Sequence, residues 1–257
     1  MLSNTPCSID YTRLIGADVD LEQKFGLNLK KQPKLRKSDT VYFSLKRQVV
    51  MGVIPPGQSL GEQQLAFEFN CAQGTIREAL IRLEQIGFVI RHDYKGTQVS
   101  ELILPEIRQM VAIRKQLEMM ATGVIASRLN DDAYELLKKV IEVMHETAQE
   151  GDTYTCSDYD RFFHRVLFAA SGYNGLAPIL DRCNLHIHRF SFGTRERPLD
   201  PQEILELHND LLEVCRKGSP EQASKAAFDH IEVLIDKWDP DLGRLAPTEP
   251  LQLNESA

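Results

Sequence analysis

The chain has 257 residues, of which 42% are hydrophobic and 26% charged, with a net charge of −7; this suits two domains of ordinary size. No apolar run approaches the roughly 18 residues of a membrane span, and the N-terminus lacks the apolar core of a signal peptide, so we expect a cytoplasmic protein with no membrane partner. The cysteines are odd in number and form no C-x-x-C pair, which favours reduced thiols over disulfides or a zinc ribbon: Cys7, Cys71, Cys156, Cys183 and Cys215.

The charge is distributed unevenly along the chain. Residues 101–257 hold 17 Lys/Arg against 27 Asp/Glu and so carry the whole acidic excess, which leaves a nucleic-acid partner open for the rest of the chain.

Residues 1–39 show no sustained periodicity and are predicted to be a flexible arm. Between Lys24 and Lys37 this arm has six basic residues and no acidic ones. It is either a solvated tail or a basic arm that adds sequence-independent contacts to phosphates.

Residues 40–100 show the pattern of three short helices followed by a hairpin. The helices are predicted at about 41–51, 62–69 and 73–86. Pro55-Pro56-Gly57 sets a turn after the first helix, and Asn70 is expected in the left-handed conformation after the second. Phe88–Arg91 and Thr97–Ser100 flank turn-forming residues and predict a two-stranded wing. These parts suffice to lay one helix in a DNA major groove, so we predict a winged helix-turn-helix domain.

From residue 104 onward the pattern changes to long helices only. They are predicted at about 104–129, 131–150, 153–171, 174–192, 200–217 and 219–238. Six helices with short connections predict an antiparallel bundle over residues 104–238. We expect residues 239–257, rich in proline and polar residues, to form a disordered tail. The fold class is therefore mainly α: an N-terminal winged helix-turn-helix with a small β-wing, and a C-terminal antiparallel α-helical bundle.

The strings Pro55-Pro56-Gly57, Leu65-Ala66, Arg77-Glu78-Ala79-Leu80 and Leu83-Glu84 identify a resemblance. Residues 41–99 resemble the winged helix-turn-helix of the GntR family of bacterial transcription regulators, and the helical remainder resembles the FadR-type ligand-binding (FCD) domain. The resemblance implies a regulator and not an enzyme. It implies a homodimer that binds a pseudo-palindromic operator in double-stranded DNA, one winged domain to each half-site. Repression released by an effector is the commoner arrangement in such families.

The resemblance also implies which residues contact DNA. They are Gln63, Gln73, Gly74, Thr75, Arg77, Lys95 and Gly96. Arg77, on the exposed face of the third helix with Arg82, would hold a phosphate or a guanine edge, although an isolated arginine there is more readily a solvated helix charge. Lys95 and Gly96 would let the wing approach the neighbouring groove.

The start of the third helix departs from the family. Ala72-Gln73-Gly74-Thr75 replaces a run similar to Ser-Arg-Thr-Pro, and alanine is a poor N-cap that costs about 1 kcal/mol relative to serine. Gln73 and Gln63 stand where arginine is frequent. Arginine pairs best with guanine O6 and N7, whereas glutamine pairs best with adenine N6 and N7. We therefore predict that the inner bases of the half-site shift from guanine towards adenine and that electrostatic affinity is weaker.

Four residues of the bundle form a candidate metal site. Asp160 and His164 lie one turn apart on one helix face, and His208 and His230 lie on the fifth and sixth bundle helices. One carboxylate and three imidazoles suit a divalent ion such as Zn²⁺ or Ni²⁺. Any single histidine is more often a core or surface residue than a ligand. The four match the FCD pattern in type, order and approximate spacing, and the resemblance therefore implies that they bind a divalent metal ion.

Arg114 lies where FCD domains often have an inward arginine. It could bind a carboxylate effector in a bidentate, charge-assisted contact, or it could pair with Glu118 one turn along its own helix.

A metal with open coordination positions beside an arginine suits a small organic acid as the effector. The alternatives are a regulator that responds to the metal alone, a metal that is only a structural clamp, and a helical metalloenzyme, for which no general base accompanies the four ligands. The remaining histidines of the bundle are expected to be structural or surface residues: His145, His186 and His188.

Overall fold

The computed structural model describes residues 36–92, 96–194 and 200–238. The first domain contains α1 (Lys37–Val50), β1 (Ser59–Leu60), α2 (Glu62–Glu68), α3 (Gln73–Gln85), β2 (Val89–His92) and β3 (Gly96–Val99). The second contains α4 (Leu104–Ile125), α5 (Asp131–Gln149), α6 (Thr153–Ala170), a 3₁₀ turn (Asn174–Leu176), α7 (Ala177–Thr194), α8 (Pro201–Lys217) and α9 (Pro220–Trp238). Among these described helices, none has the length and apolar character needed to cross a membrane.

The first domain is a winged helix-turn-helix, as the sequence predicts. α1 packs on α3, and the buried side chains of its core include Val41, Leu45, Ile76, Leu80 and Phe88. The left-handed conformation expected at Asn70 is confirmed, with φ of 46°. The wing has one strand more than predicted, because the two-residue β1 pairs antiparallel with β3 in a sheet of order β1-β3-β2. A strand that short carries no alternating pattern for a sequence to show.

Helix α1 begins at Lys37, four residues before the predicted start, so its first turn lies within the segment expected to be a flexible arm. Asp39 explains the earlier start. Its carboxylate accepts a hydrogen bond from the main-chain N–H of Arg36 at 2.8 Å and another from Arg82 Nη1 of α3 at 2.7 Å. Arg82 also lies over the Tyr42 ring and so joins α3 to α1. The rest of the predicted arm and the whole predicted tail lie outside the described residues.

The second domain is the predicted helical bundle. α4 packs on α7 and α9, and α5 packs between α6 and α8. The fourth predicted helix is divided into a 3₁₀ turn and α7, which begins at Ala177 with Pro178 in its first turn, where proline favours a helix start. The two domains share apolar contacts, since Leu185 of α7 and Tyr154 of α6 join the hydrophobic cluster of the winged domain.

Candidate functional site

Three histidines from three helices meet in the interior of the bundle. His164 lies on α6, His208 on α8 and His230 on α9, and each side chain is buried. One ring nitrogen from each lies within 4.8 Å of the other two. The structure therefore brings together the three histidines that the sequence singles out.

Asp160 lies beside two of these histidines. Its Oδ1 is 3.0 Å from His208 Nε2 and 3.8 Å from His164 Nε2. Burial by itself would raise the pKa of Asp160, but the adjacent histidines outweigh burial and hold the pKa well below its ordinary value. The fourth predicted ligand is therefore an ionised carboxylate at the edge of the histidine cluster.

Neighbouring oxygens orient the rings of His208 and His164. His208 Nδ1 donates a hydrogen bond to the main-chain oxygen of Ile204 at 2.8 Å, because a carbonyl can only accept. His164 Nδ1 lies 2.6 Å from Glu118 Oε2, an ion-pair distance although the direction is poor for a hydrogen bond. Both Nε2 atoms are thereby left facing Asp160. An oxygen partner on Nδ1 that turns Nε2 towards a shared centre is the usual support of a metal-binding histidine. Among the described residues His164 Nε2 has no hydrogen-bond partner, whereas His208 Nε2 is hydrogen-bonded to Asp160 Oδ1.

His230 provides the test of whether the cluster fits a metal ion. Neither of its ring nitrogens has a hydrogen-bond partner among the described residues. Burial, followed by the charges of His208 and His164, lowers the pKa of His230 well below its ordinary value, so the ring is neutral. A buried neutral imidazole with an unpartnered lone pair, beside two rings and a carboxylate, suits a divalent cation of the zinc or nickel type.

Arg114 and Glu118 form a buried pair next to the cluster. Arg114 Nε donates to Glu118 Oε1 at 2.7 Å, and both side chains are buried on α4. Burial opposes ionisation of Glu118, but the charges of His164 and Arg114 lower its pKa to about 2. Arg114 Nη2 has no hydrogen-bond partner among the described residues. The pair with Glu118 therefore exists and still leaves one guanidinium nitrogen available to an anion.

His188 belongs to this site, which corrects the expectation that it is only a structural or surface residue. Its Nδ1 accepts from Arg161 Nη1 at 3.4 Å, because a guanidinium can only donate, so the proton lies on Nε2. Nε2 is 3.0 Å from Asp160 Oδ2. Burial lowers the pKa of His188 to about 4 against the opposing effect of Asp160, which keeps the ring neutral. His188 thus orients Asp160 from the side opposite His208.

The same helix, α7, also makes hydrogen bonds to the winged domain. His186 Nε2 lies 2.7 Å from the main-chain oxygen of Ile86, at the end of α3. Arg189, buried, donates through Nη1 to Ser100 Oγ at 2.8 Å and through Nη2 to the Ser100 main-chain oxygen at 2.6 Å. These contacts are made within three residues of His188. His186 is therefore an interdomain contact, more specific than the structural role expected of it.

Of the residues expected to contact DNA, those at the start of α3 are open to solvent. Gln73 and Gly74 are exposed and Thr75 is half-buried, while Gln63 is exposed on α2. Ala72 is the N-cap and makes no side-chain capping bond, as expected of alanine. A Cβ at Gly74 would meet no atom within 4 Å, so the fold itself has no steric need for glycine there.

The wing and Arg77 complete this face. Gly96 is exposed and left-handed, with φ of +77°, whereas Lys95 lies outside the described residues. Arg77 is exposed and donates from Nε and Nη2 to the two carboxylate oxygens of Glu62, at 3.2 and 2.7 Å. This bond, above all, lowers the pKa of Glu62. Arg77 is thus held at the junction of α2 and α3, with its guanidinium oriented by a carboxylate.

Sequence reasoning left out Glu118 and His188 as parts of the site. Glu118 carries a signal, because it follows Arg114 by four residues on the face of α4 that also has Val111 and Ala121; charged residues on a buried face need partners. His188 carries no such signal, because its partner Asp160 lies on another helix 28 residues earlier in the sequence.

Comparison with known proteins gives one consistent family. The model of the "Bacterial regulatory proteins, gntR family" matches residues 37–99, and that of the "FCD domain" matches residues 109–233. The chain is 25% identical over 190 residues to the uncharacterized HTH-type transcriptional regulator YdhC of Bacillus subtilis, covering 74% of this chain and 85% of that protein. It is 24% identical over 248 residues to the HTH-type transcriptional repressor NanR of Escherichia coli, covering 85% and 91%.

Solved structures agree on the fold. McbR/YncC of E. coli superposes with a TM-score of 0.67 at 19% identity, covering 81% of this chain and 99% of that one. A putative GntR transcriptional regulator from Rhodococcus sp. RHA1 superposes with a TM-score of 0.63 at 18% identity, covering 82% and 99%. These likenesses support the arrangement of a winged domain followed by a helical bundle.

Proposed function

The chain belongs to the GntR family of bacterial regulatory proteins and has an FCD domain, and from this membership we propose a specific mode of control. The protein is a DNA-binding transcription regulator, as its relatives are. In our proposal it represses transcription, and a small organic acid that binds beside a divalent metal ion in the bundle lowers its affinity for the operator. Because its target is chromosomal DNA, it acts in the cytoplasm.

The proposed metal ligands are Asp160, His164, His208 and His230. The nitrogens of His230 and the Nε2 atom of His164, which lack hydrogen-bond partners among the described residues, support this assignment, and His208 Nε2 faces Asp160 beside them. A divalent ion bound there supplies positive charge and open coordination positions to an acid. Arg114 presents an unpartnered guanidinium nitrogen beside the cluster and is the proposed partner of the acid's carboxylate.

The single observation that carries the control proposal is the double attachment of α7. His188 on this helix contacts Asp160, while His186 and Arg189 contact Ile86 and Ser100 of the winged domain. A ligand that changes the position of Asp160 therefore acts on the same rigid helix that supports the end of α3. A coupling free energy of about 1–3 kcal/mol would give a 5–150-fold change in operator affinity.

For DNA, we propose that α3 enters the major groove with Gln73, Gly74 and Thr75 near base edges and that Gln63 contacts the flanking backbone. Arg77, positioned by Glu62, meets phosphate or a base at the junction of the two helices. The wing contributes Gly96 and Lys95. An exposed pair such as Arg77–Glu62 is weak enough to exchange for a phosphate.

The proposal includes a homodimer, one winged domain for each half of a pseudo-palindromic operator. An exposed apolar stripe supports it: Ile113, Met120 and Val124 lie on one side of α4 at helical spacing and are 42%, 46% and 37% exposed. Ile179, on the packed helix α7, is 46% exposed. Exposed apolar residues grouped in this way are typical of surfaces that meet another protein chain.

Selection of genomic fragments with the purified full chain tests the proposed DNA binding, at fixed salt because affinity depends steeply on it. Enrichment of a short inverted repeat is expected; a set of fragments with no shared sequence would contradict specific binding. The rival regulator that responds to metal alone is tested on the same DNA. If chelation releases the operator but organic acids at constant metal do not, the rival is correct.

A further inference from the structure

Asn184 is a fully buried amide on α7 for which the fold offers no partner. Its exposed fraction is 0%, and neither its amide nitrogen nor its amide oxygen has a hydrogen-bond partner among the described residues. A side-chain amide can donate two hydrogen bonds and accept two, and native proteins rarely bury such a group unpaired because doing so lowers stability. The position of Asn184 in the bundle indicates what it could bind.

The packing of α7 against α6 places Asn184 at the level of His164. The two helices run antiparallel, with Asp160 near His188 at one end and Arg165 Nε 3.0 Å from Asp181 Oδ1 at the other. His164 lies between Asp160 and Arg165 on α6. Asn184 lies between Asp181 and His188 on α7, one turn before His188 and on the same helix face.

The packing of α7 against α4 gives the same level independently. Cys183 and Ile187 share an apolar cluster with Ile107 and Val111 of α4. Leu180 shares the next cluster along the bundle with Leu117 and Ala121. On α4, Arg114 lies between these two clusters; on α7, Asn184 directly follows Cys183 and is one turn from Leu180, so it lies near the level of Arg114.

The positive charge of Arg114 affects the pKa values of two residues that flank Asn184 on α7, Cys183 and His188. Burial dominates the pKa values of Cys183 and His188, but the Arg114 guanidinium acts on both of them as well. Arg114 Nη2, like the Asn184 amide, lacks a hydrogen-bond partner among the described residues. Two buried groups with unpartnered hydrogen-bonding atoms, the Nη2 of the Arg114 guanidinium and the amide of Asn184, therefore lie at similar levels of the bundle near His164.

We propose that Asn184 and Arg114 form a recognition subsite for a hydroxylated carboxylic acid, in which Arg114 binds the carboxylate and Asn184 binds a hydroxyl group of the same molecule. This inference rests on the proposed control by an organic acid and makes its chemistry specific. A hydroxyl group both donates and accepts, and so it can satisfy the amide oxygen and the amide nitrogen. An acid without the hydroxyl leaves the amide unpaired in a buried site, which is the condition under which proteins discriminate most strongly.

The test measures binding by thermal shift with the zinc-loaded full chain. The probes are glycolate, lactate and gluconate, each compared with the acid that lacks the hydroxyl groups: acetate, propanoate and hexanoate. In the wild type we expect at least one hydroxy acid to bind about tenfold more tightly than its partner, the lower range for a lost hydrogen bond in a buried site. In Asn184→Leu, which keeps the side-chain volume but removes the amide, we expect the two acids of that pair to bind alike.

A structural role for Asn184 is tested by the unliganded proteins. If the amide serves a ligand, Asn184→Leu removes an unpaired buried group, and the melting temperature stays the same or rises by roughly 2–4 °C. A fall in the melting temperature would show that the amide supports the fold and would overturn the inference.

The remaining outcomes separate this inference from the proposed function. If acids bind the wild type without regard to the hydroxyl, or if Asn184→Leu keeps the preference, the inference is overturned while control by an organic acid stands. If none of the six acids binds the wild type, both are contradicted. The wild-type comparison does not depend on whether the variant folds.

Discussion

The imidazole of His188 lies 3.0 Å from the carboxylate of Asp160, and this contact connects α7 with α6. α6 carries Asp160 and His164 of the proposed metal site, while α7 supports the winged domain through His186 and Arg189. A change at the histidine cluster and a change at the end of α3 are therefore separated by one side-chain contact and less than one turn of helix.

Removal of the metal is expected to destabilise the protein. A ligand present at about 100 times its Kd stabilises the folded state by about 2.7 kcal/mol, so chelation should lower Tm by roughly 5–10 °C. In His230→Ala that effect should disappear, because the ring whose nitrogens have no other partner is gone. The measurement is Tm by circular dichroism with zinc and with EDTA.

His145→Ala is the matched control for His230→Ala. His145 is a histidine of the same bundle, but it contacts the main-chain oxygen of Pro201 at 3.0 Å and lies outside the cluster. It should keep the full response to EDTA. An equal response in the wild type and His230→Ala would count against the assigned ligand.

Arg189→Met is expected to uncouple the two domains. The variant keeps an unbranched side chain but removes the guanidinium that binds Ser100. We predict that acid binding stays within about twofold of the wild type, while the 5–150-fold effect of the acid on operator affinity falls to about twofold or less. Calorimetry of acid binding and fluorescence anisotropy of DNA binding check the two parts. Retention of the full effect would mean that the signal travels by another route.

Gly87 and Gly74 should respond in opposite ways to replacement by alanine. Gly87 is left-handed, with φ of +80°, and a Cβ there would lie 2.7 Å from Arg182 Nη2. Gly87→Ala should cost roughly 1–2 kcal/mol and lower Tm by roughly 2–8 °C. Gly74→Ala meets open space in a helix and should leave Tm unchanged or raise it slightly.

The effect of Gly74→Ala should fall on DNA binding. If the start of α3 lies against base edges, an added methyl group there obstructs the approach, and we expect operator affinity to drop by about tenfold or more, as for a mismatched contact of 1–3 kcal/mol. Anisotropy titrations of wild type and Gly74→Ala provide the comparison. Unchanged affinity would remove Gly74 from the interface.

Gln73→Arg should change the base preference at the inner half-site from adenine towards guanine. Arginine binds guanine O6 and N7, and each good bidentate contact is worth about 1–3 kcal/mol of discrimination. Selection from randomised operators with the wild type and the variant measures the change. A guanine preference already present in the wild type would contradict the role assigned to Gln73.

The sequence allowed both domains and the histidine cluster to be predicted, because these depend on local periodicity and on a family pattern. The helix spacing of Ile76 and Leu80 and the D-x-x-x-H pair of Asp160 and His164 are visible in a short window. The roles of His186 and His188 are not, because their partners Ile86 and Asp160 lie 100 and 28 residues away and only the packing of α7 brings them together.

The proposed role of Asn184 also could not be predicted from the sequence. A single asparagine in a helix that mixes apolar, charged and polar residues has no special meaning in the sequence. Its meaning depends on the antiparallel packing of α7 with both α4 and α6, which sets it level with Arg114 and His164. The charged pair Arg114 and Glu118 on the buried face of α4 is the feature of the sequence that comes nearest to indicating a polar site at this level of the bundle.

The central claim, that an acid bound in the bundle controls DNA binding, is tested most directly by one titration. The labelled inverted repeat is bound by zinc-loaded protein at fixed salt, and the hydroxy acids are added at constant zinc while anisotropy is followed. We predict that at least one acid weakens operator binding 5–150-fold and that Arg114→Met abolishes this effect while leaving DNA affinity without acid unchanged. Operator affinity that is the same with and without every acid, but falls on chelation, would contradict the account and assign control to the metal alone.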